Sequence, residues 1–214
     1  MKLDVPLYTQ KIGSVDCGHI CLRMILKYHG IGFNYQRIKS EISTHEVGTY
    51  TPQLGLFLMK NGFQTDIITM NPGLFSVRDS GISQDKVLAI LKSVRNKSTK
   101  PDDKITLDYF VKYIQKGGRV TPRIPDVKTI KTEIKNKRPI LVLLTSNFLT
   151  GTKRKFNFHF NVITGIDKIH IYVNDPLMGI RGGRKKYKIS DYFYAIHTSA
   201  YGDLDNASLM TIKK

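Results

Sequence analysis

Hydrophobic and polar positions along this chain follow a helical period first and strand-like runs later, with the change near residue 140. Ile20, Met24 and Tyr28 fall on one helical face with Cys21 and Ile25 beside them, which predicts a helix over 17–28 ended by His29-Gly30. Residues 1–16 read as an extended arm with a turn at Gly13-Ser14. A second helix starts after Thr51 with Pro52 at its first position, carries Leu54, Leu56, Phe57, Leu58 and Met59, and stops at Asn61-Gly62. Residues 63–70 alternate loosely and predict a strand. Helices follow over 84–97, 105–116 and 128–136, with a polar surface loop over 96–104. The run 140–145 is continuously apolar, as in a buried strand. Residues 159–166 and 169–174 read as two strands joined by a tight turn at Asp167-Lys168. A helix over 187–196 and a strand over 207–213 complete the pattern. Helices followed by an antiparallel sheet predict an α+β fold. The expected organisation is one domain over 1–214, with a helical insertion over 71–139.

With 41% hydrophobic residues the chain can bury a proper core. It carries 34 basic and 17 acidic residues, a net charge of +17. That charge is read first as solubility, and second as attraction to an anionic partner, nucleic acid or a membrane surface. Two dense basic stretches, 153–155 and 181–188, would carry such a contact; the alternative for both is a solvated loop. The second stretch follows Asp175 closely and would favour acidic substrates. The only two cysteines, Cys17 and Cys21, lie one helical turn apart, which is not a disulfide framework. No signal peptide and no apolar run of about 18 residues is visible, so a cytoplasmic location is expected.

Three features carry chemistry. Gln10 precedes Asp16-Cys17-Gly18, Cys17 opens a helix, and far downstream His159 begins one strand while Asp175 ends the next. A helix N-terminus favours a thiolate through its unpaired N–H groups and dipole. Gly18 would let backbone approach a substrate. The Cys17 N–H and a Gln10 amide can supply two donors to an oxyanion. A histidine on a nearby strand can take the thiol proton, and a carboxylate can fix its tautomer. A turn at residue 167 sets 159 and 175 level, because it is their midpoint. Cys21 reads as core. His19, His29, His45, His170 and His197 do not cluster with cysteine at zinc-like spacing, so neither metal nor cofactor is expected.

The run from Asp16 to Gly30 resembles the nucleophile helix of the bacteriocin-leader-processing cysteine peptidases, in the papain-like superfamily. So do the segments 159–167 and 172–176. The chain is still more similar to the guanylyl cyclase domain-containing protein family, in its Asp-Cys-Gly segment, its histidine strand, its turn at 174–176 and its segments 189–191 and 201–203. The resemblance touches 5–70 and 140–214. It implies a papain-like cysteine peptidase fold with Cys17 as nucleophile, His159 as base, Asp175 as orienting acid and Gln10 as oxyanion donor. One feature departs from the leader peptidases: six residues separate Gln10 from Cys17, where those enzymes usually have five.

The expected activity is thus a cysteine hydrolase acting on a peptide or other acyl substrate through a thioester. An acyltransferase would use the same site. A nucleotide cyclase would need paired carboxylates for two metals, and no such pair stands near a Gly-rich loop. A catalytically inactive basic binding module is the remaining alternative, which an intact Cys17, His159 and Asp175 oppose. Oligomeric state is not legible.

Overall fold

A computed structural model describes residues 1–152 and 157–214. After the arm come α1 (Cys17–Tyr28), α2 (Tyr35–Glu41), α3 (Thr51–Lys60) and β1 (Gln64–Thr69). Then follow α4 (Gln84–Lys97), α5 (Pro101–Gln115), β2 (Arg119–Pro122) and α6 (Val127–Lys135). The last third holds β3 (Ile140–Thr145), α7 (Ser146–Thr150), β4 (Phe158–Ile166), β5 (His170–Asp175), β6 (Gly183–Lys188), α8 (Ile189–Thr198) and β7 (Ser208–Lys213).

The strands form one seven-stranded sheet in the order β2-β1-β7-β3-β4-β5-β6. Every neighbouring pair is antiparallel except β1 and β2. The two central strands β3 and β4 are buried on both faces apart from Phe158; β3 is accordingly an unbroken apolar run from Ile140 to Leu144, while β4 carries His159, Asn161 and Thr164 into the interior. α1 buries Ile20, Cys21, Leu22, Met24, Ile25 and Leu26 and packs on β4 and α3, so the cysteine helix lies on the middle of the sheet. α3 packs on β1 and α5, and α8 on β3. This is the α+β architecture expected, with the Cys17 helix against a largely antiparallel sheet.

Several elements differ from the sequence reading, among them the following. α2 was not expected: it buries only Ile38, so its apolar period is nearly silent, and Asn34 starts it by accepting from the Arg37 N–H at 2.8 Å. α5 begins at Pro101, four residues before the expected start at 105, with Asp102 and Asp103 in its first turn. β2 puts a short edge strand into the segment expected to be helical. Residues 183–188 form the edge strand β6, with exposed Arg184, Lys186 and Lys188 alternating with half-buried positions. The expected solvated loop is therefore a strand, and the helix begins at Ile189 rather than 187. Lysines on a sheet edge hinder pairing with a second chain. The stretch 153–155 lies outside the described residues.

The hairpin between β4 and β5 also departs from simple symmetry. Its turn spans 167–169, where Asp167 Oδ1 accepts from the N–H groups of Ile169 (2.7 Å) and His170 (2.6 Å). An irregularity between Ile163 and Gly165 shifts the ladder, so Val162 pairs with Asn174 and Gly165 with Tyr172. Asp175 therefore falls opposite Asn161 rather than His159. The offset of two residues is even, so His159 stays on the face of Asp175 as its diagonal neighbour.

Gly55 marks where α3, α5 and β7 meet: an added Cβ would lie 2.6 Å from Tyr113 Cε2 and 3.1 Å from Met210 Cε. Tyr113 cannot yield easily, because its hydroxyl donates to Thr65 O at 2.8 Å. Gly55→Ala should destabilise by about 1–2 kcal/mol, overpacking outweighing the gain in helix propensity. Thermal unfolding checks this, with a drop of roughly 2–8 °C expected for a chain of this size.

Candidate active site

The N-terminus of α1 is open because Asp16 does not cap it. Asp16 stands at the capping position, but its side chain makes no capping hydrogen bond to the first turn. Its Oδ2 instead accepts from Tyr35 OH at 2.7 Å, and its Oδ1 from Lys39 Nζ at 3.0 Å. α2 thus draws the carboxylate away and leaves the first N–H groups of α1 facing Cys17. Gly18 has a packing role: a Cβ there would collide with Thr49 Oγ1 and come within 2.9 Å of Leu54.

His159 and Asp175 are buried, 4% and 2% exposed. His159 Nε2 lies 2.8 Å from Asp175 Oδ1. A carboxylate only accepts, so Nε2 carries the hydrogen and Nδ1 is left for the thiol. Asp175 Oδ1 also accepts from the Leu177 N–H at 2.9 Å, closing the turn that follows β5. Burial pushes the Cys17 thiol up, but its hydrogen bond and attraction to His159, with backbone groups of Phe160 and Gly18, bring it below the ordinary thiol value. Burial pulls His159 down, yet Asp175 and then Cys17 raise it to about 10. Cys21 is driven the other way: burial, then Cys17 and Asp175, push it well up. The two thiols are therefore chemically unlike, although one helical turn apart.

Gln10 is buried and hooked to the same turn, its backbone N–H donating to Pro176 O at 2.7 Å. Its side-chain Nε2 donates to Ser14 O at 2.6 Å, across the loop whose length departs from the leader peptidases. The structure thus brings Cys17, His159 and Asp175 together and fixes Gln10 beside their turn, with one of its two amide hydrogens engaged.

Cys17 opens into a small cleft of about 30 Å³ whose walls include Thr49, Tyr50, Phe158, Phe160, Asp205 and Asn206. Sequence reading did not single these out; the segment 201–203 was noted only for its likeness to a family. Asp205 is buried, and its Oδ2 accepts from the Thr51 N–H at 2.6 Å, capping α3 from across the fold. Burial, with Asp203 adding to it, raises Asp205 to about 7. Tyr50 is pushed up to about 12 by burial and by Asp203, Asp102 and Asp205. A groove of about 1010 Å³ between α3, α5 and β1 contains none of the four predicted site residues.

Residues 7–91 match the Peptidase C39 family and residues 89–202 the Peptidase_C39 like family, the second over more than half of the chain. The chain belongs to the Peptidase_C39 like family. It is a cysteine peptidase-like hydrolase of papain-like fold. Three solved structures share that fold. A putative C39-like peptidase from Bacillus anthracis is 13% identical, with TM-score 0.56 over 100% of this chain and 98% of its own. The peptidase domain of Streptococcus ComA is 13% identical, with TM-score 0.52 over 98% of both chains. A double glycine motif protease from an AMS/PCAT transporter, solved with its leader peptide, is 12% identical, with TM-score 0.52 over 99% of this chain and 93% of its own. No curated protein matches the chain by sequence. None of these findings supports the resemblance to the guanylyl cyclase domain-containing family.

Two measurements follow from the electrostatics. Iodoacetamide should alkylate Cys17 much faster than Cys21 at neutral pH, with a further rise as His159 loses its proton near pH 10. Equal slow labelling, read by peptide mass mapping, would contradict the assignment of charge. Asp205 is raised in the folded state, so its contribution is present below about pH 4, the unfolded value, and lost as pH rises through 7. Asp205→Asn, which keeps an acceptor for Thr51, should gain stability relative to the parent between pH 5 and pH 8.5 in urea unfolding.

Proposed function

We propose that this protein hydrolyses a peptide bond through a thioester on Cys17. The observation that carries the reading is His159 Nε2 at 2.8 Å from a buried Asp175, beside a thiol held below its usual pKa at an uncapped helix N-terminus. The Cys17 sulfur attacks the scissile carbonyl carbon, and the carbonyl π pair moves to oxygen. The Cys17 N–H and the second amide hydrogen of Gln10 receive that oxyanion. His159, protonated through Nδ1, gives its proton to the leaving amine as the C–N bond breaks. It then takes a proton from water, whose oxygen attacks the thioester and releases the acid and the free thiol. Asp175 holds the ring by Nε2 and stabilises the imidazolium.

A peptide substrate suits the family, and the AMS/PCAT transporter protease of the same fold was solved with a leader peptide. The cleft wall beside Cys17 carries Asp203 and Asp205, so the expectation of an acidic substrate has no support on that side. The basic stretch 181–188 has a place in the fold as an edge strand, and the observations favour neither nucleic acid nor membrane as a partner. Among the described residues no group of three or more His, Cys, Asp or Glu is arranged to hold a metal ion, and none of the helices is long and apolar enough to cross a membrane. Water and another nucleophile are equivalent acceptors for the thioester; hydrolysis is the reading that family membership favours.

Incubation with a diverse synthetic peptide library, read by mass spectrometry, tests the proposal. Cleavage should vanish in Cys17→Ala and fall roughly 10²–10⁴-fold in His159→Ala. Cleavage surviving in Cys17→Ala would refute it. In Asp175→Asn the alkaline limb of the pH–rate profile should move to lower pH, because Asp175 is the main group that raises His159.

A further inference from the structure

Asp175 is flanked by two holds on the N-terminal arm, the segment that delivers Gln10. Before it, the Asn174 side chain donates from Nδ2 to Val5 O at 2.8 Å and to Pro6 O at 3.4 Å. After it, Pro176 O accepts from the Gln10 N–H at 2.7 Å. Asn174 is buried, and both bonds of its amide nitrogen go to the arm. A buried amide is costly to leave unpaired, so this hold resists release.

The arm is tied down elsewhere too. The Leu3 N–H donates to Thr164 O at 2.7 Å, and the chain start lies on Gly165, where a Cβ would stand 2.8 Å from Met1 O. Leu3 and Val5 are buried. Nearer Gln10 the arm meets the cysteine helix: Arg23 Cζ of α1 stands over the Tyr8 ring, 3.9 Å from its centre. Residues 3–10 belong to no helix or strand, so nothing within the arm fixes where Gln10 stands. Its place comes from outside, from a grip between α1 on one side and the chain around Asp175 on the other.

Resting on the thioester reading above, we propose that Asn174 and Tyr8 are positioning residues for the oxyanion donor: they set where Gln10 stands relative to Cys17 by holding the arm to the Asp175 turn and to α1. Neither touches the substrate. One short segment then serves both halves of the reaction. Asp175 orients His159, while Asn174 and Pro176 on either side of it place Gln10. An oxyanion donor acts only within about 2.7–3.1 Å of the developing charge. A loosened arm therefore costs transition-state stabilisation and leaves the Cys17–His159 pair as it is.

The test compares two reagents on Cys17, each rate corrected by that of Cys17→Ala. The sulfur attacks the carbonyl carbon of p-nitrophenyl acetate, passes through an oxyanion and expels p-nitrophenolate, leaving an acetyl thioester. It displaces iodide from iodoacetamide with no oxyanion formed. In Asn174→Leu and in Tyr8→Leu the ratio of acylation to alkylation rate should fall roughly three- to thirtyfold, part of the roughly 10²–10³ that a whole oxyanion donor is worth. Alkylation itself should hold near the parental rate. In a Gln10→Ala background neither substitution should lower the ratio further, because both act through Gln10. Tyr8 is half-buried, so Tyr8→Leu carries the test if Asn174→Leu does not fold. An unchanged ratio in either folded variant, equal slowing of both reagents, or a further fall in the Gln10→Ala background would overturn the positioning role and leave the thioester reading standing. If Gln10→Ala keeps the parental ratio, Gln10 is not the oxyanion donor and the proposal falls with it. If the parent acylates no faster than Cys17→Ala, the nucleophile reading itself fails, which is a different result.

Discussion

The carboxylate of Asp175 is buried and needs a partner, and much of the site follows from how the fold supplies one. Removing a carboxylate from water costs several kcal/mol unless hydrogen bonds and an opposite charge compensate. Asp175 has His159 Nε2 at 2.8 Å and the Leu177 N–H at 2.9 Å. Meeting that need fixes the imidazole ring and its tautomer and turns Nδ1 toward Cys17. The pair also raises His159 far enough to stay charged at neutral pH, which is what holds the Cys17 thiol down. Cys17, His159 and Asp175 thus form one electrostatic unit, and its weakest point is burial, which opposes the charge on both Cys17 and His159.

That unit was legible in the sequence because its parts lie at element ends: Cys17 at a helix start, His159 near a strand start, Asp175 in a strong turn. The hairpin argument reached the right pair through the wrong register. The three-residue turn and the shift between Ile163 and Gly165 move Asp175 two places along β4, and only the even parity of that shift keeps it on the face of His159. A shift of one would have sent one side chain to the opposite face. Parity is a packing outcome that residue counting does not reach. α2 and its hold on Asp16 were hidden for another reason: one buried residue in seven gives no period to read. The cleft walls were invisible because Thr49, Tyr50, Asp205 and Asn206 meet only through long-range pairing, and none stands in a motif.

The charge distribution shows how little net charge says about a site. The chain is strongly basic, with a net charge of +17, yet its cleft wall carries Asp203 and Asp205, with Asp205 tied to the N-terminus of α3. The densest described run of cations lies on the edge strand β6, where exposed positions alternate along an unpaired edge. An edge strand without such charges would invite pairing with another chain. The stretch that read as a candidate partner surface has a sufficient explanation in sheet architecture, and an acidic wall next to the thiol limits what the remaining positive charge can attract there.

The two helices that border the cleft are capped in opposite senses, and this bears on why the site can stay open. Asp205 satisfies the first N–H of α3 from 154 residues away in sequence. Asp16 leaves the first turn of α1 unsatisfied by turning to Tyr35 and Lys39. Capping is worth about 1 kcal/mol to a helix, and α1 can forgo it because its next two turns are almost wholly buried against β4 and α3. A site that needs free N–H groups is affordable only where a deeply packed element carries the cost, and α1 is that element. The same packing explains Gly18: a side chain there would push α1 off Thr49 and Leu54, and the open helix end would lose the wall that faces it.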